Sequence, residues 1–290
     1  MADSQRTYVD LLFRSSKKYA SWDPEVEVRA GDWGRITAGR KPAFDLAFWR
    51  RGRRMGVFIK EGNIYDDGLA KQHGIPEPKT YGGSEATDST GVTWLVSQNA
   101  REMDASVDVS AQTPVFAQCG VKASFKFTSG QGAVLAMDND AITTIDPPGS
   151  LRRLLDEPAM KDAVIVSEVH ACASYARYLG TPSVKSVSIG ISAEPPVANV
   201  GAVSASAAWM RSTTVGNFKS KVNKKGQRVY YPLFRLASTK ERDTSTGLRG
   251  SLEDEDHTPL PDAEPPWIRT DAEGDKGEAP APTPVSVKCV

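Results

Sequence analysis

Long apolar runs, a secretory leader and a cysteine framework are all missing from this chain of 290 residues. No stretch approaches the roughly 18 consecutive apolar residues of a membrane-spanning helix. Residues 1–5 are polar and acidic, without the charged and then apolar segments of a secretory leader. Cys119, Cys172 and Cys289 are too few and too scattered for a disulfide framework or a zinc site. The sequence therefore predicts a cytoplasmic protein without a bound metal.

Catalytic motifs are also missing. His73, His170 and His257 lie far apart, and His170 with Cys172 resembles a packing pair on one strand more than a base and a nucleophile. No phosphate-binding loop or dinucleotide fingerprint is present, and residues 129–132 predict a hairpin turn because no helix follows them. We therefore expect no enzymatic activity and no cofactor. Catalysis by residues distant in sequence is the alternative.

The net charge is zero, but the charges are unevenly distributed. Residues 239–290 hold 12 acidic and 6 basic residues and carry a net charge of −6. Residues 1–238 hold 30 basic and 24 acidic residues and carry +6. A basic body with an acidic tail predicts an anionic partner with which the tail competes. A tail that only improves solubility is the alternative.

The composition of residues 239–290 predicts a disordered tail after a folded domain of residues 1–238. The tail contains 7 of the 19 prolines and too little apolar surface to offset the entropy cost of ordering. Its acidic run consists of Glu253, Asp254, Glu255 and Asp256. Trp267 and Ile268 form an apolar island, which either docks on the body or lies exposed.

A basic helix is predicted over residues 4–20, with Ser4 as the N-cap. Tyr8, Leu11 and Leu12 repeat at the spacing of one helix face. Four basic residues lie largely off that face: Arg6, Arg14, Lys17 and Lys18. Such a helix either lies on an acidic membrane or packs on a sheet with its basic face in solvent.

Arginine and aromatic residues cluster between two predicted strands, residues 26–29 and 56–60. The cluster consists of Arg40, Lys41, Phe48, Trp49, Arg50, Arg51, Arg53 and Arg54. Aromatic side chains at headgroup depth, with arginines on phosphates, would anchor the chain to a membrane. There are two alternatives: a hairpin whose aromatic residues cover the edge of the core, and binding to single-stranded nucleic acid.

Strands that alternate small polar and apolar residues dominate residues 87–234. The clearest segments cover residues 105–111, 123–127, 186–193 and 203–207. This alternation is typical of a soluble antiparallel sheet, and it also describes the strands of a membrane β-barrel. In a membrane, the residues facing lipid would be Val107, Val109, Phe125, Phe127, Ile189, Ile191, Val203 and Ala205. Between the strand groups, residues 149–161 predict a short helix.

Five stretches in collinear order make residues 5–237 resemble the fungal gasdermin-like proteins that execute heterokaryon incompatibility and regulated cell death. They are residues 28–36 (VRAGDWGRI), 57–65 (VFIKEGNIY), 132–137 (GAVLAM), 164–179 and 231–236 (YPLFRL). The resemblance implies an α+β fold, a twisted antiparallel sheet with long hairpins and packed helices. It also implies a domain that binds acidic phospholipids, self-associates and refolds two regions into β-hairpins that form a plasma-membrane pore.

The resemblance gives the tail a regulatory role. Residues 37–55 are longer than the family pattern, and the tail stands where animal gasdermins have a large folded repressor domain. We expect the acidic run and Trp267 to mask the body, which ends near Phe234 and Ser238, with cleavage just beyond. The alternatives are activation by an allelic partner protein without cleavage, and a non-lytic lipid- or partner-binding module. No nucleic acid partner is expected.

Overall fold

A computed structural model of the chain describes residues 2–37, 57–82, 91–103, 116, 119–192, 208–240 and 258–267. In these ranges the chain forms two α-helices, α1 (Ala2–Ser16) and α2 (Leu69–Gln72), and two 3₁₀ helices, Pro148–Leu154 and Pro158–Met160. The other elements are β-strands in three antiparallel sheets. The prediction of an α+β fold built mainly from antiparallel sheet is therefore confirmed.

Sheet A contains seven strands around one long central strand. Its strands are β1 (Tyr19–Ala20), β2 (Asp32–Ile36), β3 (Phe58–Asn63), β4 (Lys79–Tyr81), β9 (Ala141–Thr144), β10 (Val164–Cys172) and β15 (Tyr230–Ser238). One edge of β10 pairs with β15, and the other edge pairs first with β2 and then with β9. Beyond β15, β1 continues the sheet by pairing Tyr19 with Phe234.

Sheets B and C have four strands each. Sheet B contains, in spatial order, β14 (Asn217–Val222), β11 (Ser174–Leu179), β8 (Ala133–Asp138) and β5 (Val92–Val96). Sheet C contains β13 (Ala208–Arg211), β12 (Ser186–Ser192), β7 (Cys119–Phe127) and β6 (Ala100–Met103). Only Ala173 separates β10 from β11, so one continuous ribbon passes from sheet A into sheet B.

Sheet B is the middle layer of the molecule and is buried on both faces. Leu135 and Tyr175 contact α1 within one hydrophobic cluster. Val134 and Tyr178, on the opposite face, contact sheet C in a second cluster that includes Phe125. Burial of each large apolar side chain contributes about 1.5–3 kcal/mol. These two clusters therefore fix the layer order α1, sheet B, sheet C.

Helix α1 ends earlier than the sequence predicts. Lys17 adopts a φ of 59°, in the left-handed region that terminates many helices. The next residues, Tyr19–Ala20, form β1 because their backbone pairs with β15. The helix is also buried on every side over residues 7–13, unlike an amphipathic surface helix. It contacts the sheet A core through Val9 and Phe13, and sheet B through Tyr8, Leu11 and Leu12.

Three other local predictions are wrong, two because tertiary pairing decides the outcome and one because a proline interrupts the helix. The strand predicted at residues 26–29 is displaced, since β2 begins at Asp32 where it meets β3 and β10. Residues 129–132 connect β7 of sheet C to β8 of sheet B and are not a hairpin turn. The helix predicted at residues 149–161 is divided into two 3₁₀ helices, since Pro158 has no backbone N–H to continue the first one.

Candidate functional site

The basic residues predicted for membrane binding near α1 are only partly available. Lys17 is exposed, whereas Arg6, Arg14 and Lys18 are half-buried. The guanidinium of Arg6 lies 6.0 Å from the centre of the Trp267 ring. The ammonium of Lys18 forms an ion pair with Glu168. In this conformation α1 therefore presents no continuous basic face.

Lys18 belongs to a charged cluster, the junction cluster, that consists of Lys18, Glu168, His170 and Asp140. Nε2 of His170 lies 2.9 Å from Nζ of Lys18 and 3.2 Å from Oε1 of Glu168. On the other side of the imidazole, Nδ1 lies 3.0 Å from Oδ2 of Asp140. Thr93 in β5 donates to the second Asp140 oxygen at 2.8 Å. The junction cluster thus connects β10 of sheet A to the end of α1 and to sheet B.

The members of the junction cluster shift each other's pKa values. The hydrogen bond with His170, together with Lys18, lowers the pKa of Glu168 to about 2. Burial acts to lower the pKa of His170, but hydrogen bonds to Asp140 and Glu168 outweigh burial and raise it. Burial acts to raise the pKa of Asp140, yet hydrogen bonds from His170 and Thr93 lower it. The two carboxylates favour a protonated imidazole, and their effect on the pKa of His170 outweighs burial and the Lys18 ammonium, which both act to lower it. The arrangement suits a structural clamp.

A second cluster forms where the tail returns to the body. Residues 258–267, here called the strap, lie against β15. Ser238 N–H donates to the carbonyl of Pro261 at 2.8 Å, and Ala263 N–H donates to the carbonyl of Leu236 at 2.8 Å. Asp262 and Ala237 form the bridge between these two hydrogen bonds. The strap therefore pairs with the edge of β15 through a single β-bridge, a short form of the β-addition by which some domains bind peptides.

Side chains fasten the strap along its length. Arg235 in β15 contacts both carboxylate oxygens of Asp262, at 2.6 Å from Nε and 3.2 Å from Nη2. Leu260 is buried in the hydrophobic core of sheet A. At the far end, Trp267 Nε1 donates at 2.8 Å to Oδ1 of Asp10, a carboxylate buried in α1. A tail residue thus supplies one hydrogen bond of a buried charged group, whose desolvation makes each such bond important.

The strap corrects two predictions for the tail. The tail is not disordered throughout, because residues 258–267 have backbone partners and a buried leucine. Phe234 and Ser238 are 4% and 0% exposed within β15, so they are not an accessible cleavage region. Thr239 is also buried and donates its hydroxyl to the carbonyl of Ala163 at 2.9 Å. A protease would have to cut beyond Lys240.

Four of the residues predicted to face lipid lie in sheet C. Phe125, Phe127 and Ile189 are buried, and Ile191 is half-buried. All four contact the core between sheets B and C. Residues between them face the opposite way, and the hydroxyls of Ser124 and Ser188 lie 2.8 Å apart there. Sheet C therefore has one apolar and one polar face, as the alternation predicts.

The other predicted site residues lie outside the described ranges: Arg40, Lys41, Phe48, Trp49, Arg50, Arg51, Arg53, Arg54, Val107, Val109, Val203, Ala205, Glu253, Asp254, Glu255 and Asp256. Among the residues that the structure describes, no helix is long and apolar enough to cross a membrane. The same residues contain no His, Cys, Asp or Glu group suited to hold a metal ion. No family model matches the chain, and no curated protein matches it.

Sequence reasoning missed the junction cluster and the partner of Trp267. His170 and Cys172 are both buried, as expected of a packing pair, but a register shift in β10 separates them. The charged partners of His170 come from three separate parts of the chain, so no local pattern connects them. Asp10 did carry a signal, since a carboxylate between Val9 and Leu11 in a buried helix needs hydrogen-bond donors.

Proposed function

We propose that the protein is a pore-forming executioner of regulated cell death, of the fungal gasdermin-like type. In its inactive state it stays in the cytoplasm with the tail docked on the body. After activation it binds acidic phospholipids of the plasma membrane, self-associates and inserts β-hairpins that permeabilise the membrane. This proposal combines the sequence resemblance with the two-faced construction of sheet C, which is the structural observation that carries it.

Sheet C has the properties that a pore wall needs. In β7 and β12 apolar residues alternate strictly with small or charged polar ones, and the apolar face covers sheet B. The pairs β6–β7 and β12–β13 are antiparallel neighbours, and residues 104–118 and 193–207 join them at the same end of the sheet. A strand pair with one apolar and one polar face can separate lipid from water once it leaves the core.

The strap supports an inhibitory role for the tail. It occupies the edge of β15, and Trp267 contacts Asp10 and Arg6 of α1, a helix that the proposal assigns to lipid binding. The tail also carries −6 against +6 on the body, which weakens attraction to an acidic leaflet. Activation then requires loss of the strap, through a cut within residues 241–257 or through displacement by an allelic partner protein.

Dye release from vesicles tests the proposal. A site for a specific protease is inserted within residues 241–257 of the full chain, and the purified protein is cut in the presence of dye-filled vesicles. We expect release from vesicles containing phosphatidylserine after the cut, and little release before it or from neutral vesicles. A matched chain with an uncleavable insert is the control. A cut chain that keeps its circular dichroism and releases no dye contradicts pore formation.

The second candidate function is a non-lytic lipid- or partner-binding module built on the same sheets. The observation that favours it is the core between sheets B and C, in which Phe125, Val187 and Ile189 are 2%, 0% and 0% exposed. Opening such a core costs much of the stability of a domain. Binding of the cut chain to acidic vesicles without dye release would identify this function.

A further inference from the structure

Three basic side chains lie together on the outer face of sheet C, the face turned away from sheet B. Arg101 in β6 stands directly opposite Lys126 in β7, and directly opposite residues of an antiparallel pair share one face. Lys122 lies four residues from Lys126 on the same strand and therefore also shares this face. All three side chains are exposed.

These three cations have no ion pair within the described part of the chain. The only acidic residue in the described strands of sheet C, Glu102, stands opposite Phe125 and so lies on the other face. In the strands of sheets A and B each basic residue has a partner. Arg177 stacks on Trp22 at 3.6 Å, and six others pair with carboxylates: Arg35, Lys60, Lys79, Lys219, Lys221 and Arg235.

Two structural explanations do not account for this face. Like charges directly opposite each other, as in Arg101 and Lys126, destabilise a sheet, whereas a merely solvated face can mix both signs. Basic residues also protect edge strands against pairing with other chains, which explains Arg101 because β6 is an edge strand. Lys126 lies on the part of β7 that pairs with both β6 and β12, where no edge needs protection, whereas the described part of β6 does not extend to Lys122.

We infer that this outer face of sheet C is the surface by which the chain meets an acidic membrane, weakly and reversibly while the tail is docked and more tightly after activation. That the partner is an acidic membrane rests on the proposed function, and the three cations add the surface of the protein that binds it. Ser186 on β12 is half-buried beside Lys126, whereas Ser188 and Gly190 are buried, so the exposed basic patch lies on the β6–β7 side of this face. No aromatic residue belongs to the described part of this face, whereas single-stranded nucleic acid is usually bound by stacking on aromatic rings.

Vesicle sedimentation with the full, uncut chain tests this inference. The vesicles are phosphatidylcholine with about 20% phosphatidylserine, which gives them a negative surface potential. The test variant is Arg101→Gln/Lys122→Gln/Lys126→Gln. The matched control, Lys71→Gln/Lys224→Gln/Lys225→Gln, removes the same charge from exposed residues of α2 and of the loop between β14 and β15.

We expect the test variant to lose about 100-fold in partition to these vesicles, because each basic residue near an acidic leaflet contributes about 1 kcal/mol. The control variant should lose much less, and raising the salt concentration should weaken the unmodified chain. Both triple variants change only exposed side chains, and unchanged thermal unfolding confirms that they fold.

Three results would overturn the inference. The first is an equal loss of vesicle partition by both triple variants, which would indicate an effect of net charge alone. The second is no loss of partition by the test variant. The third is tighter binding of the unmodified chain to single-stranded RNA than to vesicles.

Dye release distinguishes the inference from the proposed function. If uncut chain binds through the three cations but cut chain releases no dye, pore formation fails and the surface stands. If cut chain releases dye while the test variant sediments normally, the surface fails and pore formation stands.

Discussion

His170 is the member of the junction cluster whose residue type has the ordinary pKa nearest to neutral pH. Its folded-state pKa is raised above the unfolded value, so its contribution to stability is complete below that unfolded value and is lost as pH rises through the folded one. The contribution of Glu168 to stability has the opposite pH dependence. Its pKa is lowered from 4.5 to about 2, so its contribution is present above 4.5 and is lost as pH falls toward 2.

The first prediction follows from the opposite pH dependence of the contributions of His170 and Glu168 to stability. His170→Gln should lower the melting temperature most at mildly acidic pH, where the imidazolium and both carboxylates are charged. The difference from the unmodified chain should shrink as pH rises through the raised pKa of His170. Thermal unfolding over a series of buffers from acidic to alkaline pH measures this dependence. A difference in melting temperature that is the same at every pH would show that His170 acts only by packing.

A second prediction concerns the indole of Trp267. Trp267→Phe replaces the indole by a phenyl ring, which is still aromatic but cannot donate the hydrogen bond to the buried carboxylate of Asp10. Its loss should weaken strap docking by about 1–3 kcal/mol. Hydrogen exchange at the Ala263 amide, which is bonded to Leu236, should become correspondingly faster. Arg152→Gln, which removes a contact with the carbonyl of Thr258 at the other end of the strap, is the comparison. Equal exchange in Trp267→Phe and the unmodified chain would show that the indole nitrogen does not hold the strap.

At the scale of elements, local patterns correctly predicted two strands of sheet C and gave little information on which strands become neighbours. The alternation at residues 123–127 and 186–193 correctly predicts β7 and β12, because a two-residue period is a property of the strand itself. The end of α1 was predicted wrongly, because Tyr19–Ala20 gain backbone partners in β15, which lies more than 200 residues away in sequence. The junction cluster was missed for the same reason, since sheet register brings Asp140 to His170.

Sheet C also provides a prediction about the membrane strands. Ile189 is fully buried, so a lysine there should unfold the domain and gives no information on pores. Ile191 is half-buried on the same face, where a lysine can extend its charge to solvent. We expect Ile191→Lys to fold but to abolish dye release after tail cleavage, because a lysine at mid-depth in a barrel wall costs about 2–4 kcal/mol.

Ser186→Gln is the control, since Ser186 lies on the polar face of the neighbouring part of β12. This variant should keep dye release, because its polar side chain would face water. Equal dye release by Ile191→Lys and Ser186→Gln, with unchanged circular dichroism, would remove β12 from the membrane wall.

At the scale of the whole molecule, noncovalent contacts alone hold the strap of the tail against the body. After a cut within residues 241–257, the strap becomes a separate peptide that can dissociate on dilution and can bind the edge of β15 again when it is in excess. We therefore predict that an excess of a peptide covering residues 258–290 suppresses dye release by the cut chain. The same peptide with Asp262→Ala and Trp267→Ala should not, because it lacks the contacts with Arg235 and Asp10. Suppression by both peptides would indicate a charge effect without docking.

The seam between sheets B and C differs in its chemistry from the boundaries between paired strands within each sheet. Ladders of backbone hydrogen bonds hold each sheet together, and the ribbon through Ala173 joins sheet A to sheet B. Across the seam, the described strands of sheets B and C share no ladder, and the polar contact from Trp209 Nε1 to Ser174 Oγ measures 3.2 Å. Attraction between apolar surfaces weakens on cooling, whereas a hydrogen-bonded ladder does not depend on it in the same way. Chilling the protein should therefore loosen the contacts between layers, sheet C on sheet B and α1 on sheet B, before it loosens the hydrogen-bonded strands within a sheet.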